Sequence, residues 1–359
     1  MPAIDLAALR PRIDAAIDAQ LTRGAEDLAE LAPESADLLG PVRALMGGGK
    51  RFRPIMLYVG YRAAGCPDRE GAVRLAAAME FVQAAALIHD DIIDASDTRR
   101  GMPTTHRALE AAHGQRGWEG DAAGFGVAGA ILAGNLCLGW ADQAYDECGL
   151  PDAELARGRA TFDLMRTQLM AGQYLDVVGS VRPWTAMADD ERVAMAERVI
   201  TYKSAKYSIQ HPLLIGARTG GVATAIDAAL STYGLELGIA FQLRDDLLGV
   251  FGDPEVTGKP AGDDLREGKR TVLIAHTLAG LDAAGRREVE GRLGNPALTD
   301  DDIERLRALI TSSGAVASVE AQITRRADAA ASALHTADID DVALAALTDF
   351  IAIATARSA

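Results

Sequence analysis

The sequence predicts an all-α protein. Its 359 residues are rich in alanine but include only 13 prolines and 5% aromatic residues, a composition that favours helices over β-sandwiches and barrels. Apolar residues recur at steps of three and four, most clearly over residues 71–95. No segment alternates between apolar and polar residues, as a half-buried strand would. Because no Pro-, Ser- or Gly-rich linker interrupts the chain, we expect one domain over residues 1–359.

Helical periodicity recurs along the chain, and some of the longer segments are expected to contain breaks. In chain order the predicted helical segments are 5–31, 51–64, 71–95, 127–146, 152–178, 188–218, 223–250, 270–280, 301–311 and 315–356. Glycine, proline and charge predict three loops, at 114–126, 180–190 and 252–268.

Charge and cysteine content exclude several classes of function. The chain carries 36 basic and 51 acidic residues, a net charge of −15. Nucleic acids and anionic membranes attract basic surfaces, so we expect neither as a partner. Cys66, Cys137 and Cys148 are too few and too widely spaced for a disulfide framework or a zinc site. The first twenty residues lack the apolar core of a secretory signal, so the expected compartment is the cytoplasm.

One apolar segment is long enough to cross a membrane. Residues 122–141 contain no charged side chain. However, the segment holds several glycines and the polar Asn135, and it is flanked by Asp121 and Asp142 instead of basic or aromatic anchors. We therefore interpret it as a buried core helix and expect no membrane span.

The first acidic cluster ends the clearest predicted helix. It reads His-Asp-Asp-Ile-Ile-Asp over residues 89–94, and Asp90 and Asp94 lie one helical turn apart on one face. Two such carboxylates repel each other unless a cation lies between them. Mg²⁺ suits the pair, since it is usually bound by one or two carboxylates together with phosphate oxygens of a substrate. A solvated helix end is the alternative.

A second acidic cluster lies at residues 241–249. It contains Asp245 and Asp246, but Gly249 occupies the position four residues after Asp245. Helix capping and surface charge would also explain this cluster. Basic residues gather at 47–54, 98–101 and 202–206, where a diphosphate could bind, although each group alone is also typical of a solvated surface. Together, the acidic and basic groups predict a pocket that holds metal and diphosphate.

Six motifs in this order resemble the trans-isoprenyl diphosphate synthases, also called polyprenyl synthetases. The similarity is strong over about residues 39–279. The motifs are GGGKRFRP (47–54), EFVQAAALIHDDIIDASDTRRGMPT (80–104), GQYLD (172–176), YKSAKYS (202–208), FQLRDDLLGVFGD (241–253) and GKPAGDDLREGKRT (258–271).

The resemblance implies an all-α helical bundle around a deep cavity, usually a homodimer. It implies condensation of isopentenyl diphosphate with an allylic diphosphate, assisted by three Mg²⁺ ions per active site. The implied metal ligands are Asp90 and Asp94 with Asp91 in support, and Asp245 aided by Asp246 and, through water, by Asp264. The residues implied for isopentenyl diphosphate are Lys50, Arg53, Gln83 and Arg100. Those implied for the allylic diphosphate are Arg99, Lys203, Lys259 and Lys269. Those implied to line the reacting centre are Gln173, Asp176, Ser204 and Gln242.

The residue types suit this chemistry. Mg²⁺ and cationic side chains stabilise a departing diphosphate, while an apolar cavity protects the allylic carbocation from water. The double bond of isopentenyl diphosphate attacks the cation, and the released diphosphate can take up the proton that leaves. No protein nucleophile is required. The family's second acidic motif usually ends in a third aspartate, where this chain has Gly249, and we expect activity to survive because Asp245 is the main ligand.

Product length can be argued from helix geometry. Ala86 and Ala85 lie four and five residues before Asp90, about 6 and 7.5 Å deeper along the helix axis. In relatives, bulky aromatic residues there stop growth at fifteen carbons, so two alanines predict a longer product, geranylgeranyl diphosphate. Longer polyprenyl or farnesyl products remain alternatives, because the cavity floor must come from another helix. Candidate floor residues are Phe162, Met165 and Met170.

Two other functions share these features. A class I terpene cyclase has a similar first acidic motif, but its second motif needs Ser or Thr at Gly249 and Glu at Asp253. It would also not need the basic residues assigned to isopentenyl diphosphate. A catalytically inactive partner subunit is the other alternative, and Gly249 is its only support.

Overall fold

The computed structural model describes residues 4–252 and 262–355, and helices dominate both ranges, so the all-α prediction is confirmed. Backbone contacts divide the described residues into two compact units. We call residues 4–159 with 215–221 the N-terminal unit, and the remainder the C-terminal unit. The expectation of a single domain over 1–359 stays a prediction.

The N-terminal unit is built around one long helix. Its elements are α1 (Leu6–Ala29), a 3₁₀ turn (Pro33–Leu38), α2 (Leu39–Met46), α3 (Phe52–Ala63), α4 (Glu70–Ile93), β1 (Thr98–Arg99), β2 (Met102–Pro103), α5 (Thr105–Gln115) and α6 (Ala122–Asp146). Helix α4 packs against α1, α3 and α6, and most of its side chains are buried. The rings of Phe81 and Trp140 meet edge to face, with centroids 6.3 Å apart.

The C-terminal unit is arranged around α10. In chain order the remaining elements are α7 (Asp152–Val181), a 3₁₀ turn (Trp184–Ala186), α8 (Asp189–Val199), a π-helical segment (Ile200–Gln210), α9 (His211–Thr219), α10 (Thr224–Phe251), α11 (Asp263–Glu267), α12 (Val272–Gly280), α13 (Ala283–Arg292), α14 (Asp300–Ser312), α15 (Ala315–Leu334) and α16 (Asp341–Thr355). The first residues of α7 (152–159) and the last residues of α9 (215–219) belong to the N-terminal unit. Helix α10 packs against the π-helical segment, α15 and α16. The Tyr233 hydroxyl of α10 donates a hydrogen bond to the Leu347 carbonyl of α16 (2.8 Å).

Helix boundaries differ from the predicted segments where capping outweighs composition. Helix α6 begins at Ala122, inside the predicted glycine-rich loop, because the Asp121 carboxylate caps it by accepting from the Ala123 N–H (3.1 Å). The segment 315–356 is broken into α15 and α16. Short helices α2, α5, α11 and α13 were not predicted, since each has too few apolar positions to show a clear period.

Two helices in the described ranges, α4 and α6, are long and apolar enough to cross a membrane, which is weak evidence because core helices meet the same criterion. Helix α4 is such a core helix. In contrast, only 33% of the most apolar window of α6 is buried. The interpretation of residues 122–141 as a core helix therefore holds for one face, while the other face presents apolar side chains to the surface.

Candidate active site

The C-terminal end of α4 presents the first acidic cluster. Asp94 caps the helix, and its backbone N–H donates to the Asp90 carbonyl (2.8 Å). The Asp94 side chain is exposed and that of Asp90 is 21% exposed, whereas Asp91 is buried at 2%. Asp90 and Asp94 are therefore the two carboxylates of this cluster that a ligand can reach.

A tight hairpin places Arg99 against this cluster. Strands β1 and β2 pair antiparallel, and the turn residues Arg100 and Gly101 both have positive φ (53° and 75°), as a type I′ turn requires. Nη2 and Nε of Arg99 donate to Oδ1 of Asp91 at 2.6 and 2.8 Å. Burial raises the pKa of Asp91, and Arg99 opposes that shift by stabilising the charged carboxylate. Asp91 thus orients Arg99, and its support of metal binding stays a prediction.

The loop before α3 brings together two residues predicted to bind isopentenyl diphosphate. Gly49 adopts a φ of 114°, and a Cβ built on it would lie 3.6 Å from Nη1 of Arg100. Arg100 therefore lies beside the loop that carries the exposed Lys50. Arg53 is half-buried in the first turn of α3. Gln83 lies half-buried on α4, two turns before Asp90.

Arg51 anchors this loop and was not predicted as a functional residue. It has a left-handed backbone (φ 53°) and is 6% exposed. Its guanidinium donates to Asp14 of α1, Glu80 of α4 and the Met46 carbonyl, each at 2.6 Å. The run of basic residues at 50–53 was the only signal in the sequence, and it does not distinguish a buried arginine from exposed ones.

The two alanines before Asp90 differ in environment. Ala86 is half-buried and lies roughly 40° around the helix from Asp90, while Ala85 is 1% exposed and lies roughly 140° away. The face of α4 that carries Asp90 therefore continues through Ala86. Of the candidate floor residues, Phe162 and Met165 are buried and Met170 is 43% exposed.

In the C-terminal unit, Lys203 lies in the π-helical segment. Its ammonium lies 2.6 Å from Oδ2 of Asp176 on α7, and Ser204 follows it, half-buried. Helix α7 comes this close because Gly172 has no side chain: a Cβ there would lie 2.5 Å from the Lys203 backbone nitrogen. A π-helix shifts the direction of side chains relative to an α-helix and is frequent at functional sites. Helical periodicity in the sequence did not reveal it. Gln173 lies half-buried next to Gly172.

The second acidic cluster is more buried than the first. Asp246 is 7% exposed and accepts a hydrogen bond from Nε2 of Gln242 (2.8 Å), one turn earlier on α10. Burial raises the pKa of Asp246 to about 7, and the charges of Asp264 and Asp245 add to the shift. Asp245 is half-buried. A cation here would relieve the unfavourable burial of negative charge.

Lys269 lies beside the same cluster. Its ammonium is 2.7 Å from Oδ1 of Asp264 and 2.7 Å from Oε2 of Glu267. Burial opposes the charged form, but the two carboxylates outweigh it and raise the lysine pKa. Lys259, predicted to bind the allylic diphosphate, and Asp253 lie outside the described residues.

Gly249 does not leave an open space in the second cluster. A Cβ built on Gly249 would lie 1.8 Å from Oδ2 of Asp264. Asp264 therefore occupies the space in which a side chain at position 249 would begin.

The donor set fits Mg²⁺ that is bound together with phosphate. Residues 4–252 and 262–355 contain no group of three or more His, Cys, Asp or Glu side chains that could hold a metal ion by itself. Each unit instead offers a few carboxylates next to cationic side chains. Mg²⁺ is commonly held in this way, by one or two carboxylates and the oxygens of a diphosphate.

Comparisons with known proteins point to one family. The profile of the polyprenyl synthetase family matches residues 36–310. The geranylfarnesyl diphosphate synthase of Aeropyrum pernix is 34% identical over 76% of this chain and 78% of its own length. The (2E,6E)-farnesyl diphosphate synthase of Mycobacterium tuberculosis is 34% identical over 74% of this chain and 68% of its own. The geranylgeranyl pyrophosphate synthase of Corynebacterium glutamicum, solved with isoprenyl diphosphate and magnesium, has 39% identity and a TM-score of 0.90 over 98% of both chains.

Proposed function

The chain belongs to the polyprenyl synthetase family and is a prenyltransferase, and from that premise we propose that it makes geranylgeranyl diphosphate. It would do so by head-to-tail condensation of isopentenyl diphosphate with allylic diphosphates. The product assignment rests on Ala85 and Ala86, which precede Asp90 on α4 by five and four residues. Neither offers the bulk that would stop a chain at fifteen carbons.

The acidic side chains suit Mg²⁺ binding. Within the N-terminal unit, Asp90 and Asp94 would bind Mg²⁺ together with diphosphate oxygens. Within the C-terminal unit, Asp245 and Asp246 would do the same. When bound, Mg²⁺ neutralises the charge that develops on the departing diphosphate. The relative from Corynebacterium glutamicum, solved with magnesium, supports this metal. The family resemblance predicts three Mg²⁺ ions per active site.

Three of the four cationic side chains assigned to the allylic diphosphate lie within the described residues, and each of the three is paired with a carboxylate. Arg99 pairs with Asp91, Lys203 with Asp176 and Lys269 with Asp264, all at 2.6–2.7 Å. Such pairing fixes each cation in place before the substrate arrives, so that little reorganisation is needed as charge develops. Lys50, Arg53 and Arg100 would bind isopentenyl diphosphate, with Gln83 nearby on α4.

The remaining steps need no protein nucleophile. Once the allylic diphosphate ionises, the double bond of isopentenyl diphosphate attacks the cation and forms the new carbon–carbon bond. A proton then leaves the adjacent carbon, and the released diphosphate is the proposed base. Gln173, Ser204 and Gln242 would line the region in which the cation forms.

The direct test is a product assay. Purified protein is incubated with Mg²⁺, isopentenyl diphosphate and, in turn, dimethylallyl, geranyl and farnesyl diphosphate, and products are sized by mass spectrometry. A linear twenty-carbon diphosphate is expected. Longer chains or a fifteen-carbon product would overturn the product assignment but keep the reaction class. Turnover of a primer alone would identify a cyclase, and no turnover would indicate an inactive partner subunit.

We also propose that α6 forms a homodimer interface. Its exposed stripe consists of uncharged residues that repeat at helical spacing over roughly 17 Å, namely Ala128, Ile131, Leu132, Asn135 and Gly139. Ile131 and Leu132 are 45% and 56% exposed, which is unusual for adjacent large apolar residues. A second copy would bury them, as the family resemblance implies.

Light scattering should give twice the chain mass, and Leu132→Glu should shift the protein toward monomer. A monomeric wild type at micromolar concentration would contradict the proposal.

The chain's expected location is the cytoplasm, and this too remains a proposal. Fractionation of cells that express the protein, with detection in the soluble and membrane fractions, would test it.

A further inference from the structure

We propose that Gly249 is a positioning residue of the diphosphate site in the C-terminal unit. Because it has no side chain, the Asp264 carboxylate can lie against α10 and from there hold Lys269. This inference rests on the proposed function, since it assigns a role within the same diphosphate site.

The contact between Gly249 and Asp264 means that a side chain at position 249 would displace the Asp264 carboxylate from its position. An added Cβ would lie 1.8 Å from Oδ2 and 2.5 Å from Cγ of Asp264, far inside the contact distance of two atoms. Gly249 lies inside α10 and does not have a positive φ, so the backbone itself does not require glycine. Glycine inside a helix costs about 0.5–1 kcal/mol relative to alanine. The approach of Asp264 is the feature that explains it.

Asp264 is fixed from its own side of the contact. It lies in α11, is 8% exposed, and follows Gly262, whose φ of 72° turns the chain into the helix. A Cβ on Gly262 would lie 2.7 Å from the Ile303 side chain, so α11 is closely packed there. The Lys269 N–H donates to the Asp264 carbonyl (3.1 Å), closing the end of the short helix. The backbone that carries the carboxylate is therefore held in place.

The two oxygens of Asp264 have different neighbours. Oδ1 accepts a hydrogen bond from the Lys269 ammonium at 2.7 Å, and Oδ2 lies over Gly249. A side chain at 249 would displace Oδ2, and the displacement would also break the contact with Lys269. Gly249 thus connects the acidic cluster of α10 with one of the cations assigned to the allylic diphosphate.

The test uses Gly249→Ala with Gly291→Ala as the matched control. Gly291 lies in α13 of the same unit, and a Cβ there meets nothing within 4 Å. Binding of inorganic diphosphate in the presence of Mg²⁺ is measured by calorimetry, and binding of Mn²⁺ by electron paramagnetic resonance. We expect Gly249→Ala to weaken both about 10- to 100-fold, a typical effect of losing an outer partner of a metal site. Gly291→Ala should bind as the wild type does.

A double-mutant cycle tests whether the two residues act as a unit. Asp264→Asn, which keeps the side-chain volume, should weaken Mn²⁺ binding by a factor similar to that of Gly249→Ala, and the double variant should be no worse than either. The exchange Gly249→Asp with Asp264→Gly returns a carboxylate to the family's usual position and should recover Mn²⁺ binding. Wild-type binding by Gly249→Ala, or additive losses in the double variant, would overturn the inference. If Gly249→Ala does not fold, the Asp264→Asn variant and the exchange variant decide the question.

Failure of this inference is distinguishable from failure of the proposed function. If the wild type turns over substrates but Gly249→Ala retains wild-type binding of diphosphate and Mn²⁺, only the positioning role is wrong. If the wild type is inactive with every primer while the cycle still shows coupling, the positioning role stands and the proposed reaction is wrong.

Discussion

The guanidinium of Arg51 lies 2.6 Å from the carboxylate of Glu80, and both side chains are largely removed from solvent, at 5% and 11% exposure. This pair connects the loop that carries Lys50 to the middle of α4, the helix that ends in Asp90. A loop of three glycines would otherwise have many conformations available. The pair therefore positions a predicted diphosphate-binding residue relative to a predicted metal-binding residue within one unit.

Arg51→Ala should destabilise the protein strongly. It leaves the buried Glu80 carboxylate without its partner, and loss of one member of a buried ion pair costs about 3–5 kcal/mol. Arg43→Ala is the control, because Arg43 and Asp18 form an exposed pair that contributes about 0–1 kcal/mol. Urea unfolding followed by circular dichroism gives both values. Equal shifts of the two midpoints would show that the buried pair has no special role.

Asp90→Ala should remove most of the activity. It deletes one of the two accessible carboxylates at the end of α4, and loss of such an electrostatic group typically lowers kcat about 10²- to 10³-fold. Asp97→Ala is the control, since Asp97 lies three residues beyond the cluster, is 72% exposed and pairs with Arg107. Initial rates are compared at saturating Mg²⁺. Near-normal turnover by Asp90→Ala under those conditions would refute the assignment of the first metal site.

The sequence predicted the helical class and the acidic and basic motifs because helical periodicity and short motifs are local properties. It did not predict the surroundings of those motifs. Gly249 appeared as a missing ligand, and only the structure shows that Asp264, fifteen positions along the chain, lies in its place. In the same way, the backbone at Lys203 lies close to Gly172 of another helix, and the burial of Arg51 depends on α1 and α4. Each of these features comes from contacts between distant parts of the chain, which one sequence does not encode as a visible pattern.

Ala86→Phe should shorten the product to fifteen carbons. Ala86 continues the half-buried face of α4 that carries Asp90, so an aromatic ring there would fill the space below the acidic cluster. Ala85→Phe should also shorten the product, but at 1% exposure it should in addition destabilise the fold by about 1–3 kcal/mol through overpacking. Ala86→Ser is the control and should leave product length unchanged. Mass spectrometry of the products decides, and unchanged chain lengths in both Phe variants would show that these positions do not limit growth.

Asp246→Asn should stabilise the Mg²⁺-free protein in a pH-dependent way. The pKa of Asp246 is raised to about 7 by burial, whereas in the unfolded chain an aspartate titrates near 3.9. Between these values the folded protein binds the proton more tightly, so stability falls as the pH rises from about 4 to about 7 and is constant above that. Asparagine carries no charge, so near pH 4 the Asp246→Asn variant should be as stable as the wild type. Above pH 7 its free energy of unfolding should exceed that of the wild type by at most about 4 kcal/mol. Thermal unfolding at pH 5 and pH 8 measures it, with Asp349→Asn on the exposed surface of α16 as the control. With Mg²⁺ and inorganic diphosphate present, the wild type should be more stable than the variant, because only the wild type retains the carboxylate. A gain of equal size at both pH values would contradict the raised pKa.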